Sequence, residues 1–218
     1  MRHRTLIPLT LVGCACAGCG NSPKGPVARA AELSLQQSSE HVQFAGSVDS
    51  PIAQASASGA GDFQNGPDRG TLAVAFRASS TSGSMTVVVA DKVLYATSPV
   101  FSDDVPGNGW ASFKLGKAGK PAGKAFGPLA TQTPAGMFRV LRRSHGFTNV
   151  GRGTVQGLPA THYRVDAGAG YGPVDVWVGS DGLVAQVASV YTSSSGRTAV
   201  TVDFSRPSGA PLIISRSP

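Results

Sequence analysis

The side chains that could perform chemistry are few and dispersed in this 218-residue sequence. It contains no Gly-x-Ser-x-Gly turn, no His-Glu-x-x-His pair and no phosphate-binding P-loop. His41, His145 and His162 lie far apart and lack the spacing of metal ligands. Asp103 and Asp104 form one acidic pair, but side chains adjacent in sequence need not converge. The sequence therefore predicts a protein that is not an enzyme and that uses no metal or other cofactor.

Cysteine placement is more informative, because Cys14, Cys16 and Cys19 all lie within the first twenty residues. The remainder of the chain has no thiol, which excludes disulfides, a thiolate nucleophile and a cysteine metal site there. Arg2 and Arg4 precede a short apolar stretch at residues 6–12, followed by small residues. A charged segment followed by an apolar one is typical of an export signal, and this one is too short to span a bilayer.

The segment before Cys19 resembles the lipobox of bacterial lipoproteins, whose cysteine receives a diacylglyceryl group after export. Cys19 follows Ala17-Gly18 and leaves a longer apolar stretch before it and a polar tether after it. Cys14 is the alternative, because residues 11–14 match the lipobox better locally but leave a shorter apolar stretch. The remaining interpretations are a plain signal peptide and a Cys-x-Cys metal site. We expect a signal peptide at residues 1–18, a lipidated cysteine and tether at 19–26, and one domain at 27–218.

Charge limits the class of partner. Nineteen basic residues against twelve acidic ones give a net charge of +7, without a basic stripe interleaved with aromatic residues. This argues against nucleic acid as a partner and is compatible with loose attraction to an anionic surface. Four lysines recur around a Gly- and Pro-rich segment, and we hypothesise that they touch lipid headgroups; they are Lys114, Lys117, Lys120 and Lys124.

The clearest structural signal is a hairpin near the C-terminus. Apolar and polar residues alternate over residues 174–178, and Asp181-Gly182 then precedes a second apolar run. Asp-Gly favours a type I′ turn. That turn would place Val178 opposite Ala185 and Val176 opposite Val187. A third strand is expected at residues 198–204.

Two helices and further strands complete the expected fold. Residues 27–40 and 128–144 have helical periodicity, and Thr133-Pro134 is typical of an N-cap with proline in the first helical position. Alternation begins again at His41, whereas Ser, Gly and Ala dominate residues 50–61, which we interpret as a mobile connection. Further strands are expected at residues 71–77, 85–90, 93–97 and 110–115. This order predicts an α+β protein with helices on one face of an antiparallel sheet.

Taken together, the chain resembles the LppX/LprG-type lipoproteins of actinobacteria, which share the curved half-barrel of the LolA/LolB carriers. The resemblance covers the lipobox region and these stretches: residues 41–46, 91–95, 109–110, 150–151, 154–163, 173–177 and 181–183. These motifs are turn glycines and core aromatics, with no catalytic signature. The resemblance implies a curved antiparallel β-sheet wrapped around a few helices, with an apolar cavity between sheet and helices that accepts acylated lipids or glycolipids in some members.

For this chain the resemblance implies a monomeric, palmitate-type lipid-anchored protein on the outer face of the cell membrane, which binds or carries an acyl lipid or glycolipid. The residues expected to line the cavity are Phe44, Phe76, Leu94, Tyr95, Trp110, Met137, Phe138, Leu141, Val176 and Val187. These side chains could instead close the core. The alternative function is therefore a non-catalytic structural or interaction lipoprotein of the cell envelope.

Overall fold

The computed structural model describes residues 24–51, 53–66, 68–79, 81–91, 93–99, 109–114, 133–167, 172–194 and 196–206. The predicted signal peptide, Cys14, Cys19, the lysine-rich segment after Lys114 and residues 207–218 lie outside this part of the chain. Its elements are α1 (Pro26–Gln36), β1 (Ser39–Ser50), β2 (Ala53–Gln64), β3 (Arg69–Ala78), β4 (Thr81–Ala90), β5 (Val93–Thr97), β6 (Ala111–Lys114), α2 (Pro134–Leu141), β7 (Gly146–Val155), β8 (Leu158–Asp166), β9 (Pro173–Gly179), β10 (Val184–Ser193) and β11 (Gly196–Ser205).

The described strands form one antiparallel sheet of eleven strands in the order β6-β5-β4-β3-β2-β1-β11-β10-β9-β8-β7. It consists of two meanders, β1–β6 and β7–β11, which join where β1 pairs with β11. Within each meander, consecutive strands are therefore neighbours and need only a short connection, whereas β6 and β7 lie at opposite edges of the sheet. The predicted α+β class, with an open curved antiparallel sheet and helices, is confirmed.

Side-chain alternation gives the sheet two different faces. We call the face that carries Val42, Val176, Val187 and Val202 the inner face, because these residues belong to the buried core together with residues of both helices. The opposite, outer face carries cross-strand polar pairs, including His41–Asp62. The inner face therefore positions the apolar side chains of the molecule.

Both helices pack on the inner face of the sheet. In α1, Val27, Ala31 and Ser34 are almost completely buried, and the Ser34 Oγ accepts a 3.0 Å hydrogen bond from the Val184 N–H at the start of β10. In α2 the Phe138 ring lies 4.9 Å from the Phe204 ring of β11, centroid to centroid. Helix α1 thus covers strands of the second meander, whereas α2 also covers the first meander, because Met137 encloses a small space with Val42, Phe63 and Leu72.

The predicted N-cap of α2 is confirmed. The Thr133 Oγ1 accepts a 3.2 Å hydrogen bond from the Gly136 N–H, and Pro134 is the first helical residue, where the missing N–H is not needed. The helix ends at Leu141, earlier than the predicted residue 144. Helix α1 also ends early, at Gln36, because Gln37 is extended and β1 already begins at Ser39.

The hairpin prediction is half right. Val176 pairs with Val187 as expected, but Val178 pairs with Val184 instead of Ala185, since an irregularity follows Val184. The turn is not type I′: Gly182 has a positive φ of 82°, while Asp181 is not among the residues with positive φ. The Asp181 Oδ1 accepts a 3.1 Å hydrogen bond from the Leu183 N–H and so fixes a different turn.

The interpretation of residues 50–61 as a mobile connection is wrong. Ala53–Gln64 form β2, a central strand hydrogen-bonded to β1 on one side and to β3 on the other. Ala, Ser and Gly have little strand preference of their own, so the two neighbouring ladders impose the extended conformation. Ala57 and Gly59 also matter for the inner face, because a methyl group and a hydrogen atom fill little of the space above the middle of the first meander.

Candidate functional site

An apolar depression lies on the inner face where β11, β1, β2, β3 and β4 run side by side. We call it the inner hollow, and its volume is ≈ 380 Å³. Its inner-face lining comprises Phe44, Gly46, Val48, Ala55, Ala57, Phe76, Ala78, Met85, Thr198 and Val200. Ser47, Ser56 and Arg77 of the outer face also border the hollow, but Thr198 carries the single hydroxyl among its inner-face residues, so the hollow suits an apolar guest.

Small residues create the hollow. On β2, Ala57 pairs with Gly46 of β1 on one side and with Phe76 of β3 on the other. Phe76 in turn pairs with Gly83 of β4. Large side chains are thus separated by residues with a methyl group or no side chain, which leaves space between them instead of an interdigitated layer.

A second, smaller space continues the hollow beneath α2. It measures ≈ 130 Å³ and is lined by Val42, Phe44, Phe63, Leu72, Pro134, Met137, Val200 and Val202. Phe44 and Val200 line both spaces. The Phe44 ring is therefore placed between the open hollow and the space under the helix.

The ten residues predicted to line a cavity separate into groups. Phe44 and Phe76 line the inner hollow, and Met137 lines the smaller space. Leu94 is half-buried on the inner face of β5, whereas Tyr95 lies on the outer face, opposite Val88. Trp110 is half-buried just before β6.

The other four residues lie in the closed core. Phe138, Leu141, Val176 and Val187 are at most 1% exposed and are not among the residues that line either space. Sequence reasoning missed Ala57, Met85, Thr198 and Val200. The signal that could have found them is the alternation of very small with large residues along neighbouring strands, but it becomes meaningful only when the strand order is known.

A larger concavity has a different character. It measures ≈ 1080 Å³ and is lined mostly by small and polar residues that include Ser58, Ala73, Ala75 and Thr86. These four residues alternate with inner-face residues and therefore belong to the outer face. Its chemistry is less suited to an acyl chain than that of the inner hollow, although its volume is greater.

One buried carboxyl group lies at the end of the inner face. Glu40 is 3% exposed, and burial raises the pKa of its carboxyl from 4.5 to about 7, partly opposed by a hydrogen bond from Asn65. The Asn65 amide nitrogen also donates to the carbonyl oxygens of Ser34 (3.1 Å) and Gln37 (3.2 Å), where α1 ends. Among the described residues, the Glu40 Oε1 has no hydrogen-bond partner. Glu40 is therefore held as a neutral acid over much of the acidic range.

The outer face carries hydrogen-bonded pairs of polar side chains. The Asp175 carboxylate accepts hydrogen bonds from His162 (2.9 Å) and from two nitrogens of Arg164 (3.0 and 3.2 Å). The His162 ring stacks on Trp177 at 4.2 Å. All four residues are direct cross-strand partners on β8 and β9. Among the described residues no group of three His, Cys, Asp or Glu side chains could hold a metal ion.

The fold and the hollow together define a class of structure: an open, curved antiparallel sheet with two helices packed on one face and an apolar depression on the same face. Two solved structures share this fold. LprF from Mycobacterium bovis is 16% identical, with a TM-score of 0.51, over 88% of this chain and 94% of its own. The lipoprotein LppX from Mycobacterium tuberculosis is 14% identical, with a TM-score of 0.50, over 83% of this chain and 91% of its own.

The chain thus has the fold of the LppX/LprG-type lipoproteins, as the sequence resemblance predicted. No protein-family model matches the chain, and neither does any curated protein sequence. Within the described residues, no helix is both long and apolar enough to cross a bilayer.

Proposed function

We propose that this protein is a lipid-anchored extracytoplasmic lipoprotein that binds or carries an acyl lipid or acylated glycolipid in the inner hollow. The observation that carries the proposal is the apolar inner hollow beside the Phe44 ring. Its fold, shared with the lipoprotein LppX, supports the same reading. The chain acts without catalysis and as a monomer.

The dimensions of the hollow agree with such a guest. Small-molecule sites usually measure about 300–1,000 Å³ and are mostly apolar, and the inner hollow falls within that range. Burying apolar surface yields roughly 25 cal/mol per Å², so an acyl chain on Phe44, Phe76 and Val200 would gain free energy without specific polar contacts. Such a site would select for chain length and shape more than for headgroup.

Anchoring follows from the N-terminus of the sequence. Export and acylation at Cys19, or alternatively at Cys14, would hold the domain on the outer face of the cell membrane through a palmitate-type anchor. Residues 19–26 would then act as the tether. A carrier held at the membrane surface can exchange an acyl lipid with the bilayer without crossing it.

A second candidate function is a structural or interaction lipoprotein of the envelope with a closed core. The observation that favours it is the complete burial of Phe138, Leu141, Val176 and Val187 in the C-terminal meander. In that case the inner hollow would be an incidental depression, and a protein would be the partner.

Organic extraction and mass spectrometry separate the two candidates. The protein is released from its native membrane by cutting the tether, and residues 20–218 made without acylation serve as the control. A stoichiometric acyl lipid other than the covalent anchor, found in the native sample, is the result expected for a carrier. An empty native protein that also fails to take up a fluorescent fatty acid would instead support the envelope-scaffold function.

A further inference from the structure

An exposed apolar strip lies on β7, the edge strand of the C-terminal meander. Strands β8, β9 and β10 separate it from the strands that line the inner hollow. Strand β7 is the last strand, and among the described residues only β8 pairs with it. Phe147 is 49% exposed and Val150 is 51% exposed. The two residues lie three positions apart on the same edge strand, and exposed large apolar side chains on one element are a feature of interaction surfaces.

The strip is flanked by cations. Arg142 and Arg143 follow α2 directly, and Arg152 lies on β7; all three are exposed and form no salt bridge within the described part of the chain. Arg139, by contrast, is paired with Asp68. We define the β7 face as Phe147 and Val150 together with these three unpaired arginines.

Acidic groups near the β7 face are few. Residues 139–153 contain no Asp or Glu. Glu32 on the adjacent α1 is bound to Lys24, with 2.6 Å between the Lys24 Nζ and the Glu32 Oε2, and the charge of Arg142 adds a smaller lowering of the pKa of its carboxyl. Asp166, opposite Gly146 in the ladder, is the nearest carboxylate on β8. The face as a whole is therefore positively charged and apolar, which suits an anionic lipid surface.

The start of the folded domain lies against this same face. A Cβ atom on Gly25 would stand 2.9 Å from the Cδ1 atom of Phe147, and α1 begins at the next residue, Pro26. Six Cα–Cα steps separate Cys19 from Gly25, which extend over roughly 20 Å at most. A folded chain of this size has a radius of gyration of roughly 16 Å. An anchor at Cys19 would therefore keep the side of the domain near Phe147 towards the membrane.

The β7 edge is poorly suited to a partner strand. The register shifts between Asn149 and Gly151, and Gly151 has a φ of 146°, so the ladder is interrupted in the middle of the strand. Such bulges discourage the pairing of an edge with another strand. A lipid surface contacts side chains and does not need a regular row of backbone N–H and C=O groups on the edge strand.

We propose that the β7 face is the membrane-docking surface of this protein. Phe147 and Val150 enter the interfacial region of an anionic bilayer, while Arg142, Arg143 and Arg152 lie among its phosphate groups. This inference rests on the proposed function through the lipid anchor at Cys19. It adds that the domain has one fixed orientation on the membrane.

The absence of cysteine after Cys19 makes this orientation measurable. In the full acylated protein, V150C carries a single fluorophore, and S82C on the exposed outer side of β4 is the matched control. Both proteins are placed in vesicles of phosphatidylcholine with or without phosphatidylglycerol that contain a lipid-borne quencher. We expect quenching at position 150 that is stronger with phosphatidylglycerol, and little at position 82.

Two perturbations test the electrostatic part of the proposal. Combining R142E and R143E with V150C is expected to remove most of the quenching. Raising the ionic strength from 0.1 to 1 M should do the same, because the Debye length falls from about 10 to about 3 Å. Equal quenching at positions 82 and 150, in protein whose mass shows acylated Cys19, would overturn the docking surface alone.

Other outcomes are equally decisive. An unacylated Cys19 in protein from the native membrane would refute the anchor and, with it, this inference, whereas extraction of a bound acyl lipid tests the hollow independently. A label at position 150 that is unquenched in lipid vesicles but shielded from aqueous iodide in native membranes would assign the β7 face to a protein partner and overturn the membrane assignment.

Discussion

Phe44 of β1 lies directly opposite Gly59 of β2, and its ring covers the glycine. The Phe44 Cε1 atom is 2.6 Å from the position that a Cβ atom on residue 59 would occupy. Phe63 covers Gly70 in the same way across β2 and β3. The packing of a large ring over a glycine thus occurs twice in the first meander. In β1 this packing positions the Phe44 ring, which borders the hollow.

Replacing Gly59 with Ala should therefore destabilise the protein, because the new methyl group displaces the Phe44 ring and approaches the Ala73 carbonyl. Overpacking of this kind costs about 1–3 kcal/mol in the free energy of unfolding. Urea denaturation provides the measurement. Gly153→Ala on β7 is the control, since no heavy atom of the described residues lies within 4 Å of its Cβ position. Equal effects of the two substitutions would show that neither the Phe44 ring nor the Ala73 carbonyl crowds residue 59.

Filling the inner hollow should reduce lipid uptake. Ala57→Leu places three more carbon atoms between Gly46 and Phe76, and the expected loss is about tenfold in affinity for a fluorescent fatty acid, equivalent to about 1.4 kcal/mol. Ala75→Leu makes the same change on the exposed outer face of β3 and should leave uptake unchanged. Uptake that survives Ala57→Leu would place the guest elsewhere in the molecule.

The stability of the protein should fall as the pH rises through neutrality. Because burial raises the pKa of Glu40 to about 7 from 4.5, the folded state retains a proton that the unfolded state releases. The stabilisation from this group is then fully present below about pH 4.5 and is lost progressively between pH 4.5 and about pH 7, by up to about 3 kcal/mol. The predicted change in stability is measured as the shift of the denaturation midpoint between pH 4 and pH 8.

Substitution identifies the group responsible. Glu40→Gln keeps a neutral polar side chain in place and should flatten the decline between pH 4.5 and pH 7. Glu32→Gln is the matched control, because the pKa of Glu32 is lowered by the hydrogen bond from Lys24, so the decline should persist. A decline that is unchanged in Glu40→Gln would mean that another group carries it.

The cap of α2 should contribute measurably to stability. Thr133→Ala removes the hydroxyl that accepts the Gly136 N–H bond, and the expected loss in the free energy of unfolding is about 1 kcal/mol. Thr133→Ser retains the hydroxyl and should stay close to the original stability. Thermal unfolding of both variants is sufficient, and equal melting temperatures would show that Pro134 and the packing of Phe138 position the helix without the cap.

Local sequence determined those features that depend on nearest neighbours. The hydroxyl of Thr133 followed by Pro134 fixes the start of α2, because both effects act within one helical turn. Alternation over residues 174–178 predicted β9, and the pairing of Val176 with Val187 followed from the short distance between them along the chain. The N-terminal cysteine pattern likewise points to Cys19 as the lipidated residue, which stays a prediction.

Tertiary structure decided the features that depend on partners distant in sequence. Strand β2 is built from Ala, Ser and Gly, so its conformation comes from the β1 and β3 ladders and not from its own preferences. The division of the apolar residues is of the same kind: Phe76 borders a hollow because Ala57 and Gly83 flank it, whereas Val176 is sealed beneath the helices. Both residues are apolar, so their type alone does not distinguish the two environments. The neighbours across the strands determine whether the space beside a side chain is filled or left open.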